Sequence, residues 1–301
     1  MILRLPQPGP VGANLRSYVQ GWFIAALLAL ALFVFMAPAH AGTLERVAET
    51  GKFRIGYRHD APPYSYVTND GKISGYIVDL CREVARNVQS TLKLPKLDVE
   101  YIEVTADDRL KVLAEDKVDV LCDPTSVTMS RRAAMDFSLP TFLDGASVAT
   151  RGGQAVKGIE NLQGKRVGVL KNTTTEETLR RTLSEMKVQA NVVAVDTDPD
   201  GMRLLAEGQL DAYFADRGIL NYLITHSPYS RELTLSDQYF TFETYALALP
   251  RNDDAFRLLV DSTLADLYRT DRVRNIYSRT FGEFPPDQFL NTLFIINGVP
   301  K

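Results

Sequence analysis

"VLAEDKVDVLCD" (112–123) and "LLAEGQLDAYFA" (204–215) decide how this chain reads, because Ala-Glu and a later Asp coincide in them at an offset of 92 residues. Each reads as a helix end, a tight turn and a buried strand. Two explanations are open on this evidence alone: chance recurrence of a common phrase, or two lobes of like topology. The flanking sequence has the same grammar in both halves. "FRIGY" (53–57) reads as a strand, "GYIVDLCREVARNV" (75–88) as an amphipathic helix with Ile77, Leu80, Val84 and Val88 near one face, and "LDVEYIEV" (97–104) as a strand. Strand, helix, strand and helix then restart in "KRVGVL" (165–170), "TTEETLRRTLSEM" (174–186), "ANVVAV" (190–195) and "DGMRLLAEG" (200–208). Strands separated by helices of this length predict an α/β fold with a mainly parallel sheet in each half.

The connections follow from what comes after each half. "DFSLPTFLDG" (136–145) leads into the second unit, and "SDQYFTFETYALAL" (236–249) is followed by a strand and by amphipathic helices at 253–269 and 271–281. That is too little chain for a third domain, so the chain is expected to cross back. The expected division is 42–143 with 243–301 as lobe one and 144–242 as lobe two, with crossings near 142–145 and 240–243 forming a hinge. Ligands of open α/β sheets bind beyond the carboxyl ends of the strands, so two facing lobes imply a cleft there.

Composition narrows the function. The chain has 301 residues, 45% hydrophobic and 24% charged, which argues against disorder. Residues 1–41 carry only Arg4 and Arg16 as charges and an apolar run from Trp22 to Met36, closing on "APAHAG". A basic leader, an apolar core and small residues at Ala39 and Ala41 predict a secretory signal peptide cleaved after Ala41; the run is short of the roughly 20 residues that span a bilayer. Removing Arg4 and Arg16 from 34 basic residues leaves 32 against 37 acidic, a net charge of −5. No basic stripe is present, so nucleic acid is not an expected partner. Cys81, Cys122, His59 and His226 are too few and too scattered for a metal cluster, and no cofactor motif occurs. The two cysteines are compatible with a disulfide or with two separate buried thiols.

The chemistry gathers at strand exits. After the strand at 118–122 comes "CDPTSVTMSRRAAMDFS" (122–138), where Thr125 and Ser126 offer hydroxyls and Arg131 a planar fork for a carboxylate, with Arg132 pointing elsewhere. "VGVLKNTTTEETL" puts Thr173 and Thr174 between a strand and a helix; Thr173 with Glu176 fits a capping box, and the helix N-terminus is an anion site or merely a cap. Asp216, after the strand at 211–215, suits an ammonium group or caps the next helix. "YRHDAPPYSY" adds Arg58 and Tyr64, and Arg109 opens the helix at 109–116. Arginine, helix N-terminus and Asp together suit a zwitterion. Arg58 and Arg109, if both face the cleft rather than solvent, favour a second acidic group on the ligand.

These segments resemble a known family. "GYIVDLCREVA" is similar to the GFDVDLxxxIA signature of the family 3 periplasmic solute-binding proteins of amino-acid ABC transporters, and "SVTMSRRAAMDFSLP" resembles that family's S-x-T-x-x-R-x-x-x-x-DFS segment. "GKRVGVLKNTTTE" and "LDAYFAD" resemble its second-lobe motifs in the expected order, so the likeness spans about residues 44 to 290. The resemblance implies the type II periplasmic binding protein architecture, a monomer in the periplasm, and delivery of a free amino acid to a membrane-embedded ABC permease. By position it implies Arg131, Ser126 and the Thr173 region on the α-carboxylate, Asp216 on the α-amino group, and Arg58 and Tyr64 lining the pocket. "TLERVAETGKFRIGYR" and the Arg109 position look like the glutamate/aspartate-binding branch. Departures are Pro124 and Ala106 in place of serines, Asp198 in place of a histidine, Ile77 in place of the signature's acidic residue, and the extra Asp123; they leave room for another polar or cationic amino acid. No catalytic residue is expected. The alternative is an exported cyclohexadienyl dehydratase-like enzyme on the same scaffold, with Asp123 or Asp198 as acid or base.

Overall fold

In both halves of the chain, a strand carries an arginine that is gripped by an aspartate from a later strand. The computed structural model describes residues 42–153, 156–282 and 286–300; the expected leader and its cleavage site lie outside them. After α1 (Thr43–Thr50) comes β1 (Lys52–Tyr57), then a small antiparallel meander of β2 (Asp60–Ala61), β3 (Ser65–Val67) and β4 (Ile73–Ser74). Next are α2 (Tyr76–Thr91), β5 (Asp98–Glu103), α3 (Arg109–Ala114), β6 (Val120–Leu121), α4 (Met129–Ala134) and β7 (Asp136–Asp144). Helix α2 forms where the apolar spacing predicts, burying Ile77, Leu80, Cys81, Val84 and Val88 along one face. The second half runs β8 (Ala146–Arg151), β9 (Arg166–Leu170), α5 (Thr174–Glu185), β10 (Asn191–Val195), α6 (Asp198–Ala206), β11 (Ala212–Asp216), α7 (Arg217–Thr225) and β12 (Leu233–Leu235). The chain closes with β13 (Glu243–Leu249), α8 (Asp254–Arg269), α9 (Arg272–Phe281) and α10 (Gln288–Asn297).

Two five-stranded sheets result, ordered β5-β1-β6-β13-β7 and β10-β9-β11-β8-β12. In each, four strands share one direction and a single strand, β13 or β8, runs against its neighbours. The reversed strand is the one that arrives from, or departs after, the other sheet. Helices cover both faces of each sheet, so every sheet has two apolar layers, one set around Phe53, Leu80 and Phe256 and another around Val104, Leu113 and Phe137 in the first half. Val148, Val169 and Phe214 on one side and Met202, Leu205 and Tyr213 on the other do the same in the second.

The repeated phrase has a common physical basis. Asp119 accepts the backbone N–H of Arg54 at 2.7 Å and its guanidinium at 3.1 and 2.7 Å; Asp211 accepts the N–H of Arg166 at 2.8 Å and its guanidinium at 3.1 and 2.8 Å. The preceding turn is at positive φ in both, at Asp116 (53°) and Gly208 (74°), and each turn carbonyl accepts from the same arginine. Such a clamp ties the first strand of a βαβ unit to its third and leaves the strand ends at the opposite edge free for a ligand. Chance recurrence does not produce matching clamps, so the two halves share a topology.

The chain passes between sheets at Gly145 and again over 236–242, where the passages touch. A Cβ on Gly145 would lie 1.9 Å from the Thr241 carbonyl oxygen, so no side chain fits there. Among the described residues no helix is long and apolar enough to cross a membrane.

Cys81 and Cys122 form a disulfide, with 41 residues of separation and Cα atoms 6.2 Å apart, joining α2 to the end of β6. It anchors the loop that begins at Asp123. Closing a loop of that length restricts the unfolded chain by about 4 kcal/mol in the entropic account, with about 2–4 typical of measurement. Chemical denaturation of the reduced protein, or of the C81A/C122A variant, should show a loss of stability in that range; an unchanged midpoint would contradict the account.

Candidate functional site

The carboxyl ends of β1, β6, β9 and β11 face one another across the gap between the sheets. The loops leaving them supply Arg58, the 123–128 segment, Thr173 to Thr175, and Asp216. They enclose a cavity of about 30 Å³, walled among others by Arg58, Arg109, Ser126, Thr174, Asp198 and Asp216. Both halves contribute. Contacts also run directly across the gap: Ser126 Oγ to Thr174 Oγ1 at 3.2 Å, Thr174 Oγ1 to Glu243 at 2.8 Å, Asn172 to Asp107 at 2.7 Å, and Lys171 to Asp107 at 3.0 Å.

The three arginines differ in how they are matched. Arg58 is buried and donates from Nε at 2.8 Å and from its terminal nitrogen at 2.9 Å to both oxygens of Asp60. Arg109 is buried with Nε 3.1 Å from Asp123, and it also donates to the Ala106 carbonyl. Arg58 and Arg109 therefore face the cavity, but each brings its own carboxylate. The expected surplus of positive charge is absent for that reason. Arg131 stands in the first turn of α4, a short helix where a bare loop is expected, its backbone N–H capped by Thr128 at 3.1 Å. Its guanidinium donates to the Ser126 carbonyl at 2.8 Å and lines a groove that shares Thr173 and Thr174 with the cavity. Among the described residues no carboxylate lies within ion-pair distance of it.

Asp216 is its counterpart. It occupies the N-cap position of α7 but makes no capping hydrogen bond; its carboxylate instead accepts from the Tyr245 hydroxyl at 2.6 Å and the Thr175 hydroxyl at 3.2 Å. Burial pushes its carboxyl up to about 8, with Asp144 and Glu243 adding repulsion. A partly buried carboxylate with two hydroxyl donors and no cation beside it calls for a positive partner. The helix behind Thr173 gives the anion end its complement: Thr173 Oγ1 accepts from the Glu176 N–H at 3.1 Å, while the Glu176 carboxylate reaches the Asn172 N–H at 2.8 Å rather than completing a box with Thr173.

Two expected residues sit behind the wall. Thr125 is fully buried, with its hydroxyl donating to Asp123 at 2.5 Å, so it holds Asp123 rather than facing the cavity. Tyr64 is also fully buried; its ring packs edge-on against Phe142 and Tyr245, and its hydroxyl donates to Asp144 at 2.6 Å on the hinge side. Asp60, Asp144 and Tyr245 are the residues that motif reading misses. Asp60 lies beside residues already singled out, whereas Tyr245 reaches Asp216 only because β13 returns from the other sheet. Among the described residues no cluster of metal-ligating side chains occurs.

Comparison with known proteins agrees with this fold. Residues 53–283 match the family described as bacterial extracellular solute-binding proteins, family 3. The L-glutamate/L-aspartate-binding protein of Pseudomonas aeruginosa is 29% identical, over 90% of this chain and 89% of its own length. The glutamate/aspartate import solute-binding protein of Escherichia coli is 28% identical, over 92% of this chain and 93% of its own. A crystal structure of a mutant of ArgBP from T. maritima superposes with a TM-score of 0.71 at 25% identity, covering 80% of this chain and 99% of that one. With the motifs, the two-sheet topology and a match across most of the described residues, this chain belongs to the bacterial extracellular solute-binding proteins, family 3.

Proposed function

We propose that the chain is the periplasmic binding component of an amino-acid ABC importer, closing its two lobes on a free amino acid. One observation carries the reading. A partly buried arginine without a carboxylate and a partly buried aspartate without a cation flank Thr174, the two charges a zwitterion would complete. In this arrangement Arg131, with Ser126 and the N-terminus of α5, takes the α-carboxylate, and Asp216 takes the α-ammonium.

Closure follows from the division of these groups. Arg131 and Ser126 belong with the first sheet, and Thr173, Thr174 and Asp216 with the second, so a ligand touching all of them favours the closed form by its differential contacts. The crossings at Gly145 and 236–242 are where the backbone would flex. The protein acts as a monomer that hands its ligand to a membrane-embedded permease.

Two of the relatives bind or import glutamate and aspartate, which favours those ligands here. Arg58 and Arg109 both stand in the cavity wall as such a ligand needs, although Asp60 and Asp123 already offset them. Catalysis of the cyclohexadienyl dehydratase kind needs a free acid or base in the cleft. Asp123 is held by Arg109 and Thr125, which leaves Asp198 alone for that role. Turnover of prephenate or arogenate by the purified protein would move the assignment there.

A thermal-shift screen of the common amino acids should find at least one that stabilises the protein by about 2.7 kcal/mol at a hundred times its dissociation constant. Stabilisation by none would refute the assignment. Removing one member of a buried charge contact costs about 2–5 kcal/mol, so R131A and D216N should each weaken binding of that amino acid at least thirtyfold, roughly. Affinities within about threefold of wild type would show that the ligand sits elsewhere.

A further inference from the structure

The side-chain end of the cavity is closed by Asp198, the first residue of α6, and its two carboxylate oxygens are unlike. Oδ1 accepts from the buried Tyr213 hydroxyl at 2.9 Å. Oδ2 is buried in the cavity wall with no hydrogen-bond partner among the described residues, and the nearest cation, a terminal nitrogen of Arg58, is 3.7 Å away. An acidic residue at the start of a helix is ordinary when it faces water, where it complements the helix dipole. Asp198 is only 1% exposed, so that explanation does not account for a bare oxygen facing a cavity. Leaving such an acceptor unsatisfied costs as much as a lost charged hydrogen bond.

Its surroundings fix what would satisfy it. Arg58 is held by both oxygens of Asp60, and Arg109 is held by Asp123, so the two guanidinium groups and their carboxylates cancel. Asp198 is then the third carboxylate against two guanidinium groups, at the edge of ion-pair distance from Arg58 and without a hydrogen bond to it. Burial pushes its carboxyl up to about 6, with Arg58 opposing and Asp60 adding to the rise. A ligand carboxylate placed here would bring an acceptor to an acceptor and a second negative charge to the first. A ligand cation would meet Asp198 but also press against Arg58 and Arg109. A carboxamide meets both demands, because its NH2 donates to Oδ2 while its carbonyl accepts from the arginine side.

Resting on the importer reading above, we infer that Asp198 selects an amino acid whose side chain ends in a neutral hydrogen-bond donor, with the carboxamides glutamine and asparagine as the fitting class. The side chain is read by one bare carboxylate oxygen, where a dicarboxylic ligand would be read by unmatched arginines.

Calorimetric titration of the mature chain with glutamine, asparagine, glutamate, aspartate, lysine and arginine, in wild type and D198N, tests this. In wild type the better amide should bind at least about tenfold tighter than its own acid, the size of one charge-assisted hydrogen bond. An asparagine side chain can turn either its carbonyl or its NH2 to the cavity, so D198N should shrink that ratio to within about threefold while still unfolding cooperatively. Glutamate or aspartate outranking its amide in wild type would overturn the inference and leave the importer reading intact. Lysine or arginine binding best would overturn it in the same way. An amide preference that survives D198N undiminished would remove Asp198 from the selection. Binding of no amino acid at all would defeat both readings.

Discussion

A carboxylate drawn partly out of water with no cation beside it is the constraint on which the cleft depends. Asp216 ends β11, in the second sheet, and receives the Tyr245 hydroxyl from β13, in the first. That hydrogen bond exists only because the chain crosses back after the second half. The return crossing therefore does two things: it completes the first sheet, and it brings a donor to the site's most strongly perturbed acid. Burial, with repulsion from Asp144 and Glu243 and against the Tyr245 hydrogen bond, pushes the carboxyl up to about 8, so it is largely neutral near pH 7. A cation in the cavity reverses that balance, because an adjacent positive charge favours the ionised form. The energetic weight of the interaction thus falls on whatever enters the cleft, and the same group that makes the empty arrangement costly makes a filled one favourable.

The remaining charges are arranged so that little else attracts an ion. Arg58 with Asp60 and Arg109 with Asp123 are internal pairs that shape the wall and leave no surplus charge. Arg131 and Asp216 then stand out by contrast, as do the bare oxygen of Asp198 and the helix N-terminus at Thr173. Behind the loop that carries Asp123, Thr125 and Ser126, the disulfide between Cys81 and Cys122 fixes where the loop begins. Asp144, at the first crossing, accepts from Tyr64 of the first half and from the backbone N–H of Gly218 in the second, so the hinge side has its own contact between halves.

Much of this architecture was legible before any coordinates. The echo between 112–123 and 204–215 reflects matching Arg-Asp clamps, and the two sheets share a topology. Helices α2, α5, α8 and α9 lie within a few residues of where apolar spacing puts them. Strand β6 is shorter than its apolar run because Val118 and Cys122 pack and bond without extending the ladder beyond Val120–Leu121. The pocket was harder to read. A sequence shows that Arg58 and Arg109 carry charge; it does not show that Asp60 and Asp123 turn toward them. Tyr64 illustrates the same limit, since an aromatic at a strand exit suits a pocket wall or a hinge core equally well. Tyr245 and Asp216 are 29 residues apart with nothing local to join them. Contacts of that kind arise from topology, and only a folded chain displays them.

The central claim is that Arg131 and Asp216 complete a zwitterion between the lobes. A crystal structure of the protein with the amino acid that best stabilises it tests this most directly. The account predicts the α-ammonium nitrogen within hydrogen-bond distance of an Asp216 oxygen and the α-carboxylate within the same distance of the Arg131 guanidinium and the backbone at the start of α5. An amino acid found bound outside the cleft, or within it with its carboxylate turned toward Asp216, would contradict it.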